Sequence, residues 1–195
     1  MVQTASDMLP LGTAAPDFDL PDAVTGKRFT LADFDDKPLL LVMFLSNHCP
    51  FVVHVRGEVG RLALDYQDSL GVVAIAASDL TTHPQDGPEP MRDLARDLRW
   101  SFPYLFDESQ QTAKAYHAAC TPDFFLFDRE RFLIYRGQLD GSRPSNDVPV
   151  DGADLREAIE AALEGRPPPA EQKPSLGCNI KWKAGNEPEY FTRSR

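Results

Sequence analysis

The chain has 195 residues, which is enough for one globular domain and too few for two full ones. Hydrophobic residues make up 42% of it and charged residues 26%, an ordinary composition for a globular protein. Its formal net charge of −10 argues against nucleic acids and anionic membranes as partners, because no basic patch offsets the repulsion. No segment approaches the roughly 18 apolar residues of a membrane span, and the N-terminus lacks a basic start, so a cytoplasmic protein is expected.

The first half of the chain predicts a hairpin, a buried strand and a long helix. Turn-forming residues at 21–26, which include a proline and a glycine, follow a segment with alternating apolar residues and favour an N-terminal hairpin. The apolar run 39–45 indicates a strand. A helix is predicted from Cys49 to about Asp68, because apolar residues recur every three or four positions. These residues are Val52, Val55, Val59, Leu62 and Tyr66.

The second half predicts three strands and three helices before a tail. They are, in chain order, strand 71–77, helix 91–98, helix 109–118, strand 124–127, strand 132–139 and helix 155–163. The last two strands are close enough in sequence to form a hairpin, and Gly165 marks the end of the last helix. Prolines and polar residues then dominate, so we expect one domain at 1–165 and a C-terminal tail at 166–195.

Cys49 ends the polar turn that follows the first buried strand, and Pro50 comes directly after it. Proline is favoured at the first position of a helix, which makes Cys49 the predicted N-cap. Backbone N–H groups and the helix dipole favour a thiolate at such a position. Cys49 is therefore the candidate catalytic nucleophile, and a protonated His48 would add positive charge beside it.

The order of these elements, with a cysteine at the start of the first long helix, resembles the thioredoxin fold. Four segments are similar to a peroxiredoxin-like branch of the alkyl hydroperoxide reductase and thiol-specific antioxidant family. They are Asn-His-Cys-Pro-Phe at 47–51, Thr-Pro-Asp-Phe-Phe-Leu-Phe-Asp at 121–128, Tyr-Arg-Gly-Gln-Leu-Asp at 135–140 and Ser-Leu-Gly-Cys-Asn-Ile-Lys-Trp at 175–182. The resemblance implies an α/β, thioredoxin-like fold: a central mixed sheet flanked by helices, with an N-terminal hairpin and an extended C-terminal tail.

The resemblance also implies a function and a set of site residues. The function is that of a thiol oxidoreductase or antioxidant protein. Its substrate would be a peroxide or a disulfide, and its reductant a small-molecule thiol or a thioredoxin-type protein. Ser46 would bond the substrate or the thiolate, and Pro122 would follow a cis peptide bond. The residues implied to line the substrate pocket are Asn47, His48, Pro50, Phe51, Thr121, Pro122 and Arg136.

The sequence departs from the active-site patterns of both thioredoxins and peroxiredoxins. A thioredoxin-type site would have a second cysteine at Val52 and a buried acid at Met43. A peroxiredoxin-type site would have a proline at Val42, and an arginine where the alignment places Pro122. Arg136, on the neighbouring strand, is the candidate substitute for that arginine.

Two other cysteines are candidates for a second thiol. An odd total of three, spread over the chain, does not predict a disulfide framework and fits a reducing compartment. Cys120 lies next to the Thr-Pro segment, so it is either a resolving catalytic thiol or a small buried apolar residue. For Cys178, resolving a sulfenic acid is one role, and the plainer account is a tail that packs through Ile180 and Trp182.

The alternative from another class is a metal-binding thioredoxin-fold module without turnover. His48, Cys49 and His54 lie close in sequence, and copper and zinc accept these ligand types. A lone cysteine is weak support for such a site, and His54 lies off the apolar stripe of its helix. The favoured prediction therefore has no metal and no cofactor.

Overall fold

The structure, a computed structural model, describes residues 3–192. The strands are β1 (Gln3–Ala5), β2 (Asp19–Pro21), β3 (Arg28–Thr30), β4 (Leu39–Phe44), β5 (Leu70–Ala76), β6 (Tyr104–Phe106), β7 (Cys120–Thr121), β8 (Asp123–Phe127), β9 (Leu133–Gly137) and β10 (Leu176–Asn179). The α-helices are α1 (Pro50–Asp65), α2 (Pro88–Asp97), α3 (Gln111–Ala115), α4 (Ala153–Leu163) and α5 (Glu189–Thr192).

A five-stranded mixed sheet with the order β6-β5-β4-β8-β9 forms the centre. Strands β4, β5 and β6 run parallel, whereas β8 is antiparallel to both β4 and β9. The β2–β3 pair forms a separate antiparallel hairpin. The predicted N-terminal hairpin, final strand hairpin and α/β fold with a mixed central sheet are thus confirmed.

The central strand β4 is apolar throughout because both faces of the sheet are covered. Leu41 and Met43 point into a core that includes apolar residues of α1, α2 and α4. Leu40 and Val42 point into a second core, which includes residues of α3 and of the C-terminal segment. Neighbouring strand residues alternate between faces, so a continuous apolar run is the pattern of a strand buried on both sides.

Several bounds differ from the sequence-based expectations. Helix α1 ends at Asp65 instead of near Asp68, and α3 is shorter than 109–118. Strands β1, β6, β7 and β10 were not predicted, and each has two to four residues. So few residues carry too little alternation to identify a strand, because only pairing with distant segments stabilises it.

The segment after α4 packs back onto the rest of the protein. Strand β10 lies between β1 and β7 in a second, three-stranded antiparallel sheet. Ile180, Trp182 and Phe191 are buried in the core that covers the α3 side of the central sheet. Within residues 3–192, the structure contains no helix that is both long and apolar enough to cross a membrane.

Candidate active site

Cys49 is the N-cap of α1, as predicted, with Pro50 in the first helical position. Its own carbonyl oxygen already accepts the first helical hydrogen bond, from the N–H of Val53 at 2.9 Å. The cysteine is 0% exposed. The candidate nucleophile therefore lies between β4 and α1, directly before the first residue of the helix, and it is fully buried.

The sulfur of Cys49 contacts two segments that are distant in sequence. The Sγ atom of Cys178 on β10 lies 2.9 Å away, and the carbonyl oxygen of Thr121 on β7 lies 3.0 Å away. As a thiol, Cys49 donates to the Thr121 carbonyl. As a thiolate, it accepts from the Cys178 thiol, from the N–H groups of Val52 and Cys178, and from the Thr121 hydroxyl.

These contacts make Cys49 the acidic member of the thiol pair. The hydrogen bond from the Cys178 thiol lowers the pKa of Cys49 most. Burial opposes it, and the Val52 N–H and the Thr121 hydroxyl add to the lowering, which brings the pKa to about 5. The same hydrogen bond, together with burial, raises the pKa of Cys178. Cys49 is the one at a helix N-terminus, where a negative charge is favoured, so the thiolate belongs on it.

Ser46 acts on this sulfur through Thr121. Its hydroxyl is buried and lies 2.9 Å from the Thr121 hydroxyl. The Thr121 hydroxyl also donates a hydrogen bond to the Cys49 thiolate. Ser46 therefore orients the Thr121 hydroxyl and does not contact the sulfur itself. The predicted hydrogen bond from Ser46 to the substrate stays a prediction.

The turn before Cys49 is held by a buried carboxylate that the sequence did not single out. Asp86 accepts from the backbone N–H of His48 at 3.2 Å and from its ring Nδ1 at 2.7 Å. The ring of His83 lies 4.5 Å from the His48 ring, centroid to centroid. Asn47 accepts a hydrogen bond from the Tyr104 hydroxyl at 3.1 Å. His48 and Asn47 thus fix the turn that presents Cys49.

Cys178 reaches Cys49 because β10 lies directly against the Thr121-Pro122 segment. Cys178 is paired with Thr121, the residue before the cis peptide bond to Pro122. A Cβ atom on Gly177 would overlap the Thr121 carbonyl oxygen, so only glycine permits this approach. The Gly-Cys dipeptide at 177–178 therefore has a steric reason: glycine brings the strand close enough for the next residue to reach the sulfur.

Cys120 is close in sequence to this contact but lies on the other side of its strand. It is paired with Asn179, and its sulfur lies 3.6 Å from the Pro122 carbonyl and 4.0 Å from the Ser175 carbonyl. Side chains of neighbouring strand residues point to opposite faces, so Cys120 points away when Thr121 points to Cys49. Complete burial also raises its pKa well above the usual range. The structure brings Cys178, and not Cys120, into contact with Cys49.

Arg136 is not brought to Cys49 either. It is paired with Phe125, whose side chain lies in the core on the α3 side, whereas Cys49 belongs to the core on the α1 side. Its guanidinium bonds the side chain of Gln172 at 2.9 Å and the carbonyl of Met8 at 3.5 Å. The expected substitute for a peroxiredoxin arginine therefore lies on the opposite face of the sheet.

Two of the expected pocket residues, Phe51 and Pro122, line a cavity of about 20 Å³ between α1 and the residues that precede β10. That volume has room for about one water molecule. The Nε2 atom of His54 is buried without a hydrogen-bond partner, and His54 also lines this cavity. Cys49 is fully buried, and a space of this size has no room for a disulfide substrate.

The sequence predicted Cys49, Thr121 and Pro122 as site residues, gave no sign of Asp86 and did not favour the contact of Cys178 with Cys49. Asp86 lies in a polar loop, where a buried acid leaves no periodic signal. For Cys178 the packing role was favoured over the resolving one, because residues 129 apart share no local pattern that shows their contact. The Gly-Cys dipeptide was the available clue, since a glycine before a cysteine in a strand indicates a close backbone approach.

Comparison with known proteins found a matching protein family and similar solved structures. A model of the AhpC/TSA family matches residues 11–136. A hypothetical protein from Sinorhizobium meliloti is 52% identical, with a TM-score of 0.92 over 93% of this chain and 100% of that one. An uncharacterized conserved protein from Geobacillus kaustophilus is 50% identical, with a TM-score of 0.92 over 94% of this chain and 97% of that one.

A more distant structure confirms the fold. The thioredoxin domain of a thiol-disulfide oxidoreductase from Bacteroides vulgatus is 17% identical, with a TM-score of 0.57 over 67% of this chain and 90% of that one. At this identity the similarity concerns the fold alone, and it confirms the predicted thioredoxin-like architecture. A search of curated proteins gave no match.

Proposed function

The chain belongs to the AhpC/TSA family, and from this membership and the surroundings of Cys49 we propose that the protein is a thiol oxidoreductase with Cys49 as its nucleophile. The observation that carries the proposal is the position of the Cys49 sulfur, at the N-cap of α1 and 2.9 Å from the Cys178 sulfur, and the lowered pKa of Cys49 agrees with it. A thiolate at neutral pH is the reactive form of a cysteine in both disulfide exchange and peroxide reduction.

The reaction that fits the site best is exchange with a disulfide. The Cys49 thiolate attacks one sulfur of the substrate, a mixed disulfide forms, and the second substrate sulfur leaves as a thiolate that takes a proton. The reductant that completes the cycle is a small-molecule thiol or a thioredoxin-type protein.

Peroxide reduction is less well supported by the side chains. Peroxide attack would convert Cys49 to a sulfenic acid and release an alcohol or water. A peroxiredoxin-type site is expected to hold the peroxide with an arginine. The candidate for that role, Arg136, instead forms hydrogen bonds with Gln172 and Met8 on the opposite face of the sheet. Ser46, the other predicted peroxide ligand, is already bonded to Thr121.

The metal-binding alternative gains no support from the side chains. Among residues 3–192, no group of three or more His, Cys, Asp or Glu side chains is arranged to hold a metal ion. His48, the ligand predicted beside Cys49, has its Nδ1 engaged with Asp86 at 2.7 Å.

Turnover by the purified protein tests the proposal. The substrates are a protein disulfide, reduced at the expense of dithiothreitol, and hydrogen peroxide, consumed with the same reductant. We expect disulfide reduction above the rate of dithiothreitol alone, and its loss in Cys49→Ser. Equal rates for the parent and Cys49→Ser, on both substrates, would overturn the proposal. Faster turnover of peroxide than of disulfide would assign peroxide reduction instead.

The surface variant Asp93→Asn is the matched control, because Asp93 is exposed and, among residues 3–192, its side chain pairs with Arg92 of its own helix alone. It is expected to retain the parent rate. A loss of rate in this variant would indicate a general loss of folded protein in the preparations.

A further inference from the structure

The geometry around Cys49 contains a second thiol in position to react. Cys178 Sγ lies 2.9 Å from Cys49 Sγ, although the two residues are 129 apart in sequence. All three cysteines are thiols in this structure. Two sulfurs at this separation need only a small movement to reach the bond length of roughly 2.05 Å of a disulfide.

The position of Cys178 is fixed by the backbone and not only by its side chain. Strand β10 is paired on one side with β1, where Cys178 is opposite Gln3, and on the other with β7, where it is opposite Thr121. Gly177 lets β10 lie against the Thr121 carbonyl. A strand held by two neighbours and by a close glycine contact presents Cys178 to Cys49 repeatedly in the same orientation.

The alternative second thiol, Cys120, lacks this geometry. Its neighbour Thr121 occupies the face toward Cys49, so the Cys120 side chain points to the opposite face of β7. Its sulfur contacts the carbonyls of Pro122 and Ser175. A bridge between Cys49 and Cys120 would require β7 to turn over.

We propose that Cys178 is the resolving thiol of this protein, so that Cys49 and Cys178 form a reversible dithiol/disulfide pair that reduces disulfide substrates. This inference rests on the proposed function, because it needs Cys49 as the nucleophile. It assigns a catalytic role to the C-terminal strand β10, in place of the second helix cysteine whose position is occupied by Val52.

The Cys49 thiolate attacks a substrate disulfide, which forms a Cys49–substrate mixed disulfide and releases one substrate thiolate. Cys178 then gives up its proton, and its sulfur attacks Cys49 Sγ. The Cys49–Cys178 bond forms, the mixed disulfide breaks, and the second substrate thiolate leaves with that proton. The substrate gains two electrons and becomes two thiols, while the protein dithiol is oxidised. An external dithiol reverses the protein disulfide.

The two thiols divide these roles according to their surroundings. Cys49 is at a helix N-terminus and has the lower pKa, so it attacks first, whereas Cys178 donates to it and stays protonated. Cys49 is fully buried and Cys178 is in direct contact with it. The substrate therefore reaches Cys49 only after a local movement of the segments that cover it, and the pairing of β10 with β1 and β7 restores Cys178 to its place beside Cys49.

Peptide mapping after oxidation tests this assignment. The reduced parent, Cys178→Ser, Cys178→Ala and Cys120→Ser are each treated with stoichiometric oxidised glutathione in the absence of other reductant. The samples are quenched with acid, alkylated, digested and analysed by mass spectrometry. We expect a Cys49–Cys178 disulfide in the parent and in Cys120→Ser. In both Cys178 variants we expect a mixed disulfide between Cys49 and glutathione that lasts at least about a hundredfold longer, because the intramolecular step is removed.

The outcomes distinguish a failure of the role of Cys178 from a failure of Cys49 as the nucleophile. A mixed disulfide that persists on Cys49 in the parent while Cys178 remains alkylatable would overturn the role of Cys178 and leave Cys49 as the nucleophile. A Cys49–Cys120 bridge in the parent would give the role to Cys120. If Cys49 forms no adduct in the parent and in both Cys178 variants, with circular dichroism showing that all are folded, the proposed function fails as well.

Discussion

Gly177 lies against the carbonyl of Thr121 so closely that the two backbones leave no room for a Cβ atom. This contact joins β10 to β7 beside the candidate nucleophile, because Cys178 is the next residue and is paired with Thr121. The packing of this single glycine thus determines how close the second thiol lies to Cys49, and we expect β10 to be part of what covers Cys49.

Gly177→Ala should therefore expose Cys49. Overpacking of this kind usually costs about 1–3 kcal/mol, which would raise the fraction of molecules with β10 displaced by roughly 5- to 150-fold. The measurement is the rate of iodoacetamide labelling of Cys49 at alkaline pH, followed by mass spectrometry. Gly57→Ala on the open surface of α1, where a Cβ meets nothing within 4 Å, is the control. Equal labelling rates in both variants would show that β10 does not cover the sulfur.

Cys178→Ala should raise the pKa of Cys49, because the hydrogen bond from the Cys178 thiol lowers that pKa most. A hydrogen bond to a charged group is worth about 1.5–3 kcal/mol, so the expected increase is about 1 to 2 pH units. Cys178→Ser keeps a donor and should change the pKa much less. The pH dependence of iodoacetamide labelling at Cys49 gives the values. A pKa unchanged in both variants would mean that the helix N-terminus alone sets the acidity.

Thr121→Val should have two effects, because its hydroxyl joins Ser46 to Cys49. The pKa of Cys49 should rise, and the free energy of unfolding should fall by about 1–3 kcal/mol, since the buried Ser46 hydroxyl loses its partner. Thr121→Ser keeps the hydroxyl and is the matched comparison. Labelling against pH and urea denaturation are the two measurements. If Thr121→Ser, which keeps the hydroxyl, has the same effects as Thr121→Val, the loss of the hydroxyl is not their cause.

Asp86→Asn should destabilise the protein at neutral pH and much less in acid. Burial raises the pKa of Asp86, but hydrogen bonds from His48 and Ser78 outweigh it, so the pKa is lowered overall. A carboxyl with a lowered folded pKa stabilises the fold above its unfolded pKa of about 3.9, and this contribution disappears as the pH falls through the folded value. The expected loss at pH 7 is about 1–3 kcal/mol.

Urea denaturation of Asp86→Asn at neutral and at acidic pH, compared with the parent, tests this sign. The exposed Asp93→Asn serves as the control and should change stability little at either pH. A difference between parent and Asp86→Asn that grows in acid would contradict the assignment of an ionised Asp86.

Trp182→Ala should show that the C-terminal segment belongs to the folded core. Trp182 is 8% exposed and packs with Ile180 and Phe191 on the α3 side of the sheet. Truncation of a buried tryptophan costs about 3–5 kcal/mol. Phe132→Ala, at a residue that is 46% exposed, should cost far less. Denaturant unfolding of both variants decides. Equal small losses would indicate a tail that folds independently of the core.

The local sequence was sufficient for the position of Cys49. An apolar run, a polar turn and a proline specify a buried strand, an N-cap and the first helical residue, and each signal spans only a few residues. The long helices were likewise predictable from apolar residues that recur every three to four positions, and β4, β5 and β8 from continuous apolar runs. The three-residue strand β6 of the same sheet was not predicted. Boundaries were less certain, as the early end of α1 at Asp65 shows.

Which residues contact Cys49 depends on the face of the strand to which each side chain points, and local sequence patterns do not specify that face. Strand β9 pairs with β8 through an irregularity in register at Leu126 and Phe127, after which Arg136 is opposite Phe125 and on the far face from Cys49. A shift of one residue would move every side chain to the other face. For the same reason Cys120 and Thr121, adjacent in sequence, point to opposite sides of β7.

The sequence by itself determined that Cys49 caps a helix in a thioredoxin-like α/β fold, because caps, strands and amphipathic helices are encoded by neighbouring residues. Only the tertiary structure decided which second thiol lies beside it. Cys178 arrives from 129 residues away on a four-residue strand, held by pairing with β1 and β7 and by the space that Gly177 leaves. Such a contact results from the packing of distant backbones, and no periodicity within either segment specifies it.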